Sequence, residues 1–308
     1  MNDVEKLLGD AFHAAATTAV DERRQPPKPA PVAGRRASWI APLFVAAAAA
    51  LVVVVAAVTV VPRPTATPAA GDQVRVLPPA ADSYGVQMPV VLRFTEPVSA
   101  PIVNAIAVRV GGADVPGRWR WQPGNRQLLF LPRADWRPHS KVEVVAAVRG
   151  KPTGDGRTFA ADLSFSMSIG ARQVTTVDAA KHQLTVRSDG RVARVLPVSL
   201  GKPSAPTPRG SSVVTGKHRT KVLTGGTPGK ADFYRVNVQW VVSMNDWDGA
   251  FAARWAVPDI GHRDVSAGGI SLRPADAEWF FGVTQLGDLV DTPDTAGRPT
   301  SPTWPAGL

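Results

Sequence analysis

From Trp39 to Val61 the chain reads WIAPLFVAAAAALVVVVAAVTVV, 23 apolar or small positions in a row without a charge. At a helical rise of about 1.5 Å per residue such a run crosses a hydrocarbon core of roughly 30 Å, so it predicts one transmembrane helix over 39–61. It is longer than the roughly 7–15 apolar residues of a signal peptide and begins well inside the chain, which marks an anchor that is not cleaved. Arg23, Arg24, Lys28, Arg35 and Arg36 precede it with no acidic residue among them. The positive-inside rule then keeps the amino terminus in the cytoplasm and exports everything after Pro62.

Ahead of the anchor the period is helical over one short stretch. Val4, Leu7, Leu8, Ala11, Phe12 and Ala15 recur at i, i+3, i+4 spacing until RRQPPKPAPVAGRR breaks the pattern. Residues 1–38 therefore read as a cytoplasmic tail with one short amphipathic helix. It docks a cytosolic partner, lies on the inner leaflet or stays unstructured, because an isolated helix of about 15 residues is marginal in water. His13 on that helix reads as a surface residue. After the anchor, PRPTATPAAGDQ (62–73) has little to bury and much proline, the composition of an extended linker.

Beyond residue 73 the period changes to two. Short apolar runs, MPVVLRF (88–94), IAVRV (106–110), QLLFLP (127–132), KVEVVAAV (141–148) and DLSFSMSI (162–169), alternate with Gly, Pro and Asp turns. That texture predicts an antiparallel β-sandwich over 74–170. Trp119 and Trp121 in GRWRW share one strand face, and Trp136 follows in RADWRPHS. Such rings bind sugars or fill a core, and in a sandwich of this size the core is the commoner use. His139 reads as a turn residue.

A second β-rich unit is expected over 171–292. HQLTV and RVARVLPVSLG flank an Asp189-Gly190 turn, the pattern of a hairpin. A Gly- and Pro-rich loop, GKPSAPTPRGSSVVTGKH, leads into another strand, and YRVNVQWVVSM (234–244) is a third. Only RPADAEWFFGVTQLG (273–287) is helical in pattern: Pro274 suits a first turn, and Ala277, Phe280 and Phe281 form an apolar stripe beside Trp279. Residues 293–308, rich in Pro, Thr and Gly, predict a disordered tail. The fold class is therefore mainly β, with a single transmembrane helix, a β-sandwich and a β-rich second domain with one short helix.

Composition narrows the chemistry. The 308 residues include no cysteine, which excludes disulfides, thiolate metal sites and thiol nucleophiles. The 35 basic and 25 acidic residues give a net charge of +10; six basic and five acidic ones precede the anchor, which leaves 29 and 20 beyond it. Such an excess favours a polyanion; on the exported side anionic lipid or an anionic wall polymer is within reach and nucleic acid is not, although a merely solvated surface accounts for it as well. His182 and His218 stand apart from any carboxylate cluster, so no metal or other cofactor is expected.

Several segments together carry a family resemblance. YGVQMPVVLRFTEPV, PGRWRWQ and FLPRADWRPHSKVEV in the first domain, VSLGKPSAPTPRG in the second, and above all WAVPDIGHRDVSAGGISLRPADAEWFF (255–281) resemble the actinobacterial L,D-transpeptidases. That family pairs an immunoglobulin-like domain with a YkuD-type catalytic domain acting on peptidoglycan. The resemblance covers about 72–292 and implies an immunoglobulin-like sandwich over 74–170 and a YkuD-type domain over 171–292. In the family motif SHGC a cysteine is the nucleophile and a histidine stands two places before it. Here those places hold Gly269 and Ala267, between Ser266, Gly268 and Ser271; the family's upstream GEFVHAAPW segment is matched by the shorter GAFAARW (249–255), which has no histidine.

Acyl transfer through a thioester needs a thiolate that attacks and later leaves, and glycine supplies no such atom. The resemblance therefore implies a degenerate member whose remaining surface, Thr207, Pro208, Gly210, Phe251, Trp255 and Gly268, forms a candidate peptidoglycan groove or a bare scaffold. Backbone N–H groups around Gly268 and Gly269 remain available in principle to an acyl oxygen. The alternative is an active transpeptidase or acyl hydrolase with relocated groups, Ser266 or Ser271 as nucleophile and His262 as base. Serine needs an adjacent base, and spacing alone does not show whether His262 reaches.

Overall fold

The computed structural model describes residues 73–74, 76–77, 83–99, 101–230 and 233–304. The expected cytoplasmic tail (1–38), anchor (39–61) and nearly all of the linker (62–73) lie outside them. Among the described residues no helix is long and apolar enough to cross a membrane.

The first half is a sandwich of two main sheets. One has the strand order β3 (Ser83–Tyr84), β11 (Leu163–Ile169), β9 (Lys141–Ala146), β5 (Ile106–Val110) and β6 (Ala113–Asp114). The other runs β2 (Val76–Leu77), β4 (Val90–Phe94), β8 (Gln127–Pro132) and β7 (Gly117–Trp121); β1 (Gln73–Val74) and β10 (Thr158–Phe159) form a short parallel pair. In KVEVVA of β9 every second side chain, Val142, Val144 and Ala146, is buried and the intervening ones are exposed, as the pleat requires. The tryptophans face this core. Trp119 stacks 5.0 Å from Phe130, Trp121 lies 5.5 Å from Phe94, and Trp136 is buried and donates its indole N–H to the Met88 carbonyl at 2.5 Å.

The second half is one nine-stranded sheet. Its order is β14 (Arg191–Pro197), β13 (Gln183–Ser188), β12 (Gln173–Asp178), β19 (Leu289–Thr292), β15 (Arg209–Gly225), β16 (Tyr234–Met244), β17 (Trp247–Ala252) and β18 (Ile270–Leu272), with β20 (Pro299–Thr300) also on β15. The β13–β14 turn has Asp189 at φ 48° and Gly190 at φ 81°, the two left-handed residues that a type I′ hairpin turn needs. The 17-residue β15 joins the two ends of the sheet: residues 210–213 pair with β19 and residues 214–225 with β16. Helix α1 (Pro274–Val283) begins with Pro274 in its first turn and packs Ala277 and Phe280 onto β16 and β17.

Sandwich and second domain share a seam. Gly85 N–H donates to the Leu286 carbonyl at 2.8 Å and Gln87 N–H to that of Gly287 at 3.0 Å. Side chains are excluded there: a Cβ on Gly287, whose φ is 92°, would stand 2.6 Å from the Met88 nitrogen. His139 is more than a turn residue. Its Nε2 lies 2.8 Å from Asp189 Oδ2 on the hairpin turn of the second domain, and this imidazole, followed by the Arg172 N–H, holds the Asp189 carboxyl below its ordinary range.

Residues 293–304 correct the expected disordered tail. Thr295 Oγ1 donates to the Pro208 carbonyl at 2.9 Å, Gly297 N–H to that of Thr207 at 3.1 Å, and β20 pairs in parallel with β15. Asn245 Nδ2 then holds Thr300 Oγ1 at 2.7 Å and the Ser301 carbonyl at 3.0 Å, and Trp304, 8% exposed, packs on the sandwich core. Composition misleads here because a proline-rich segment has little to bury against itself, yet an extended chain can take its partners from a neighbouring strand, and one tryptophan supplies the apolar anchor.

Candidate functional site

Two segments flank VSAGGISL (265–272). The strand end Val198–Gly201 runs alongside it: Ser266 N–H donates to the Leu200 carbonyl at 2.9 Å, Lys202 N–H to the Ser266 carbonyl at 2.9 Å, and Ser271 N–H to the Ser199 carbonyl at 2.8 Å. On the other side β17 pairs in parallel with β18, placing Phe251 opposite Ser271. Asp264 fastens the approach to the loop, since its Oδ1 accepts the Leu200 N–H at 2.8 Å and faces His182 Nδ1 at 3.0 Å. Neither residue stood out in the sequence as a pair; the only signal was an aspartate just before the motif.

Ser266 is used up by the loop itself. Its hydroxyl donates to the Gly269 carbonyl at 2.5 Å and accepts the Gly268 N–H at 3.1 Å, and the side chain is buried. The Gly268 N–H is therefore taken, which corrects the expectation that it could face an acyl oxygen. Gly268 adopts φ 110°, a conformation that favours glycine, close beside the Ala205 and Pro206 carbonyls. Ala267 is exposed, and its methyl offers no acid or base.

Gly269 is buried, and the space where its side chain would stand is occupied. A Cβ there would collide with Cε1 of Phe251 and lie 3.1 Å from Cζ of the same ring and 3.3 Å from the Asp248 carbonyl. Phe251 is 6% exposed, stacks on Trp255 at 6.3 Å between centroids, and belongs to the apolar cluster of Leu223, Val238, Val241, Ala253, Ala256 and Ile260. Below the ring the polar groups pair with one another: Lys221 forms an ion pair with Asp248, whose Oδ1 also accepts from Ser243 Oγ at 3.0 Å. Tyr234 nearby has its phenol pushed up by burial and then by the Asp248 charge.

The relocated groups are not assembled. Among the described residues no hydrogen bond joins His262 to Ser266 or Ser271; His262 is exposed, whereas the Ser271 hydroxyl is fully buried and lacks a partner. The groove residues of the PTPRG loop serve the scaffold: Thr207 Oγ1 accepts the Gly201 N–H at 2.9 Å, the Pro208 carbonyl accepts from Thr292 Oγ1 at 2.6 Å and from Thr295, and Gly210 pairs with Thr292 and Thr300. Gly268, Phe251 and Trp255 do gather around the loop, while Thr207, Pro208 and Gly210 face residues 292–300. Among the described residues no group of three or more His, Cys, Asp or Glu side chains is placed to hold a metal ion.

Comparison with known proteins places this arrangement. The profile of the L,D-transpeptidase catalytic domain (YkuD) matches residues 172–292, and that of a bacterial Ig domain matches 56–152. L,D-transpeptidase 1 of Mycobacterium tuberculosis is 32% identical over 216 residues, 67% of this chain and 79% of the relative. The chain belongs to the L,D-transpeptidase family. L,D-transpeptidase 2 of the same species is 29% identical over 240 residues, 76% of this chain, and the match spans 58% of that relative's length. Among solved structures, an LD transpeptidase in complex with imipenem superposes with a TM-score of 0.56 at 29% identity, covering 72% of this chain and 99% of the other. L,D-transpeptidase 3 from Mycobacterium tuberculosis, in complex with a faropenem-derived adduct, gives 0.55 at 28% identity over 73% of this chain and 99% of the other. The mainly β architecture with one short helix, now including an ordered β20, is thus that of the L,D-transpeptidases.

Proposed function

We propose that this chain is a membrane-anchored, catalytically silent L,D-transpeptidase that binds or regulates peptidoglycan on the cell-wall side of the plasma membrane. The observation that carries the silence is the Phe251 ring packed into the space that a side chain at Gly269 would need. With no cysteine anywhere in the chain, no thioester can form at this loop, and with Ala267 beside it no imidazole stands ready to take a proton. Loss of a triad's nucleophile costs on the order of 10⁶ in turnover, and here the space for the nucleophile is lost too.

The relocated-serine reading has less support. The Ser266 hydroxyl spends its proton on the Gly269 carbonyl, and Ser271 is sealed from solvent. Anchoring rests on the uncharged run 39–61, and the peptidoglycan partner on family membership and the basic excess beyond that run. Loop 201–206 and Trp255 remain around Gly268 as the surface that a stem peptide would meet.

Intact-mass spectrometry of the full-length chain after incubation with faropenem tests the silence: the mass stays unchanged, and a covalent adduct would refute it. Sedimentation with purified peptidoglycan at physiological salt tests binding, and a chain that stays in the supernatant would refute a wall-binding role. Fractionation with alkaline washing tests the anchor, which predicts retention in the membrane pellet.

A further inference from the structure

The seam between the sandwich and the second domain is built on backbone and on one acid. The Gly85 and Gln87 N–H groups donate across it to Leu286 and Gly287. No side chain fits between: a Cβ on Gly85 would collide with the Asp288 nitrogen and Oδ1, and one on Gly170 with Gln285 Oε1. Asp288 is 1% exposed. Its Oδ2 accepts from Gln173 Nε2 at 2.9 Å and from the Gln285 N–H at 2.7 Å. Its Oδ1, the oxygen against Gly85, is buried without any donor among the described residues.

The groups around Asp288 do not complete that shell. Lys217 on β15 is the cation that acts on it, yet this ammonium donates to the Thr284 carbonyl at 2.5 Å and sits 4.6 Å over the Phe281 ring. From β12 comes the neutral Gln173 and from the α1–β19 turn Gln285. Residues 83–88 of the sandwich carry no charge, and their one titratable group, Tyr84, is buried in the sandwich core. Burial outweighs the Gln285 N–H and the Lys217 charge, and pushes the Asp288 carboxyl up to about 7. Once ionised, the carboxylate has one oxygen facing glycine backbone, and water reaches that oxygen only if the seam parts. At the rim Arg172 meets Asp135 at 3.4 Å, and His139 meets Asp189 at 2.8 Å. The histidine pair is charged only with the imidazole protonated, so it favours closure in the same direction of pH, though exposure keeps its contribution small.

We propose that this seam is a pH-controlled hinge: it stays closed while Asp288 is protonated and parts at Gly85 and Gln87 once Asp288 ionises. Val213, Leu289 and Trp304, packed on the sandwich core, keep the two domains together as it parts.

Site-resolved hydrogen exchange on the full-length chain tests this. Protection of the Gly85 and Gln87 amides, corrected for the intrinsic pH dependence of exchange, should fall about tenfold from pH 6 to pH 8 as Asp288 ionises. At pH 8 the Val144 and Val186 amides, in the central strands β9 and β13, should exchange at least about tenfold more slowly, since the hinge opens without unfolding either domain. The fall should persist in His139→Gln and disappear in Asp288→Asn. Constant protection between pH 6 and pH 8 would overturn the proposal, as would exchange at Gly85 and Gln87 no faster than at Val144 and Val186. So would a fall lost in His139→Gln or kept in Asp288→Asn. Should Asp288→Asn fail to melt cooperatively, Lys217→Met decides: without the cation the midpoint of the fall should move to higher pH, and an unmoved midpoint overturns the hinge as well.

Discussion

Restoring the missing atom is the most direct test of the site. In Gly269→Cys the new Cβ runs into Phe251 Cε1 and lies 3.1 Å from its Cζ, so the ring has to move. It has little room, being 6% exposed among Val241, Ala256 and Ile260. Overpacking of this kind costs about 1–3 kcal/mol, and at about 2–4 °C per kcal/mol for 150–250 residues the melting temperature should fall by roughly 2–12 °C. Phe251→Ala alone should cost about 3–5 kcal/mol by emptying the same space. Combined, the two changes relieve each other, so the double variant should be more stable than the sum of the singles by about 1–3 kcal/mol. Neither cysteine variant should acquire a faropenem adduct at a family rate, because a buried thiol with no imidazole beside it stays protonated. Calorimetry and intact mass read both outcomes. A Gly269→Cys variant that melts no lower than the parent, or strict additivity in the cycle, would refute the filled-pocket account.

Further consequences follow from the same contacts. Ser266→Ala removes both hydrogen bonds that pin the loop and should lower stability by about 1–2 kcal/mol in denaturant unfolding, with no change in reaction toward faropenem. Asp264→Ala frees the Leu200 N–H and the His182 ring and should cost about 1–3 kcal/mol, clearly more than His182→Ala, which leaves the Asp264–Leu200 bond intact. Asp288 has an ordinary pKa of 3.8 and a folded one of about 7, so the folded state holds its proton more tightly than the unfolded chain. The stability this lends is full below about pH 4 and is lost as pH rises through about 7. Between pH 5 and pH 8 the parent should therefore lose about 2–3 kcal/mol more than Asp288→Asn, as measured by thermal melts across that range. Trp304→Ala should free residues 293–304 from the sandwich core, seen as faster amide exchange at Gly297 and Thr300.

Much of the β architecture could be read from the chain because its signals are local. The runs at 106–110 and 127–132 coincide with β5 and β8, since period-two burial and turn residues act over a few positions. The Asp189-Gly190 hairpin was equally legible, because a type I′ turn asks for left-handed residues that few side chains tolerate. Local signals failed where partners come from far along the chain. Residues 293–304 offered no pattern of their own, yet β15 and Asn245 supply their hydrogen bonds.

The site divides along the same line. That the loop lacks a sulfur and an imidazole is written in Gly269 and Ala267, because a missing atom can be seen in a sequence. That Phe251 fills the vacancy is not, because residues 251 and 269 meet only through the parallel pairing of β17 with β18, a crossover connection whose register no spacing rule gives. The two facts constrain each other. With glycine at 269 the Phe251 ring can lie where it does; with a larger side chain there the ring has to shift. A ring so placed then opposes recovery of the thiol by a single substitution. On the proposed function, chemistry by the family route would need a nucleophile at 269, a base at or near 267 and a displaced Phe251 ring, so packing adds to what the missing groups already impose.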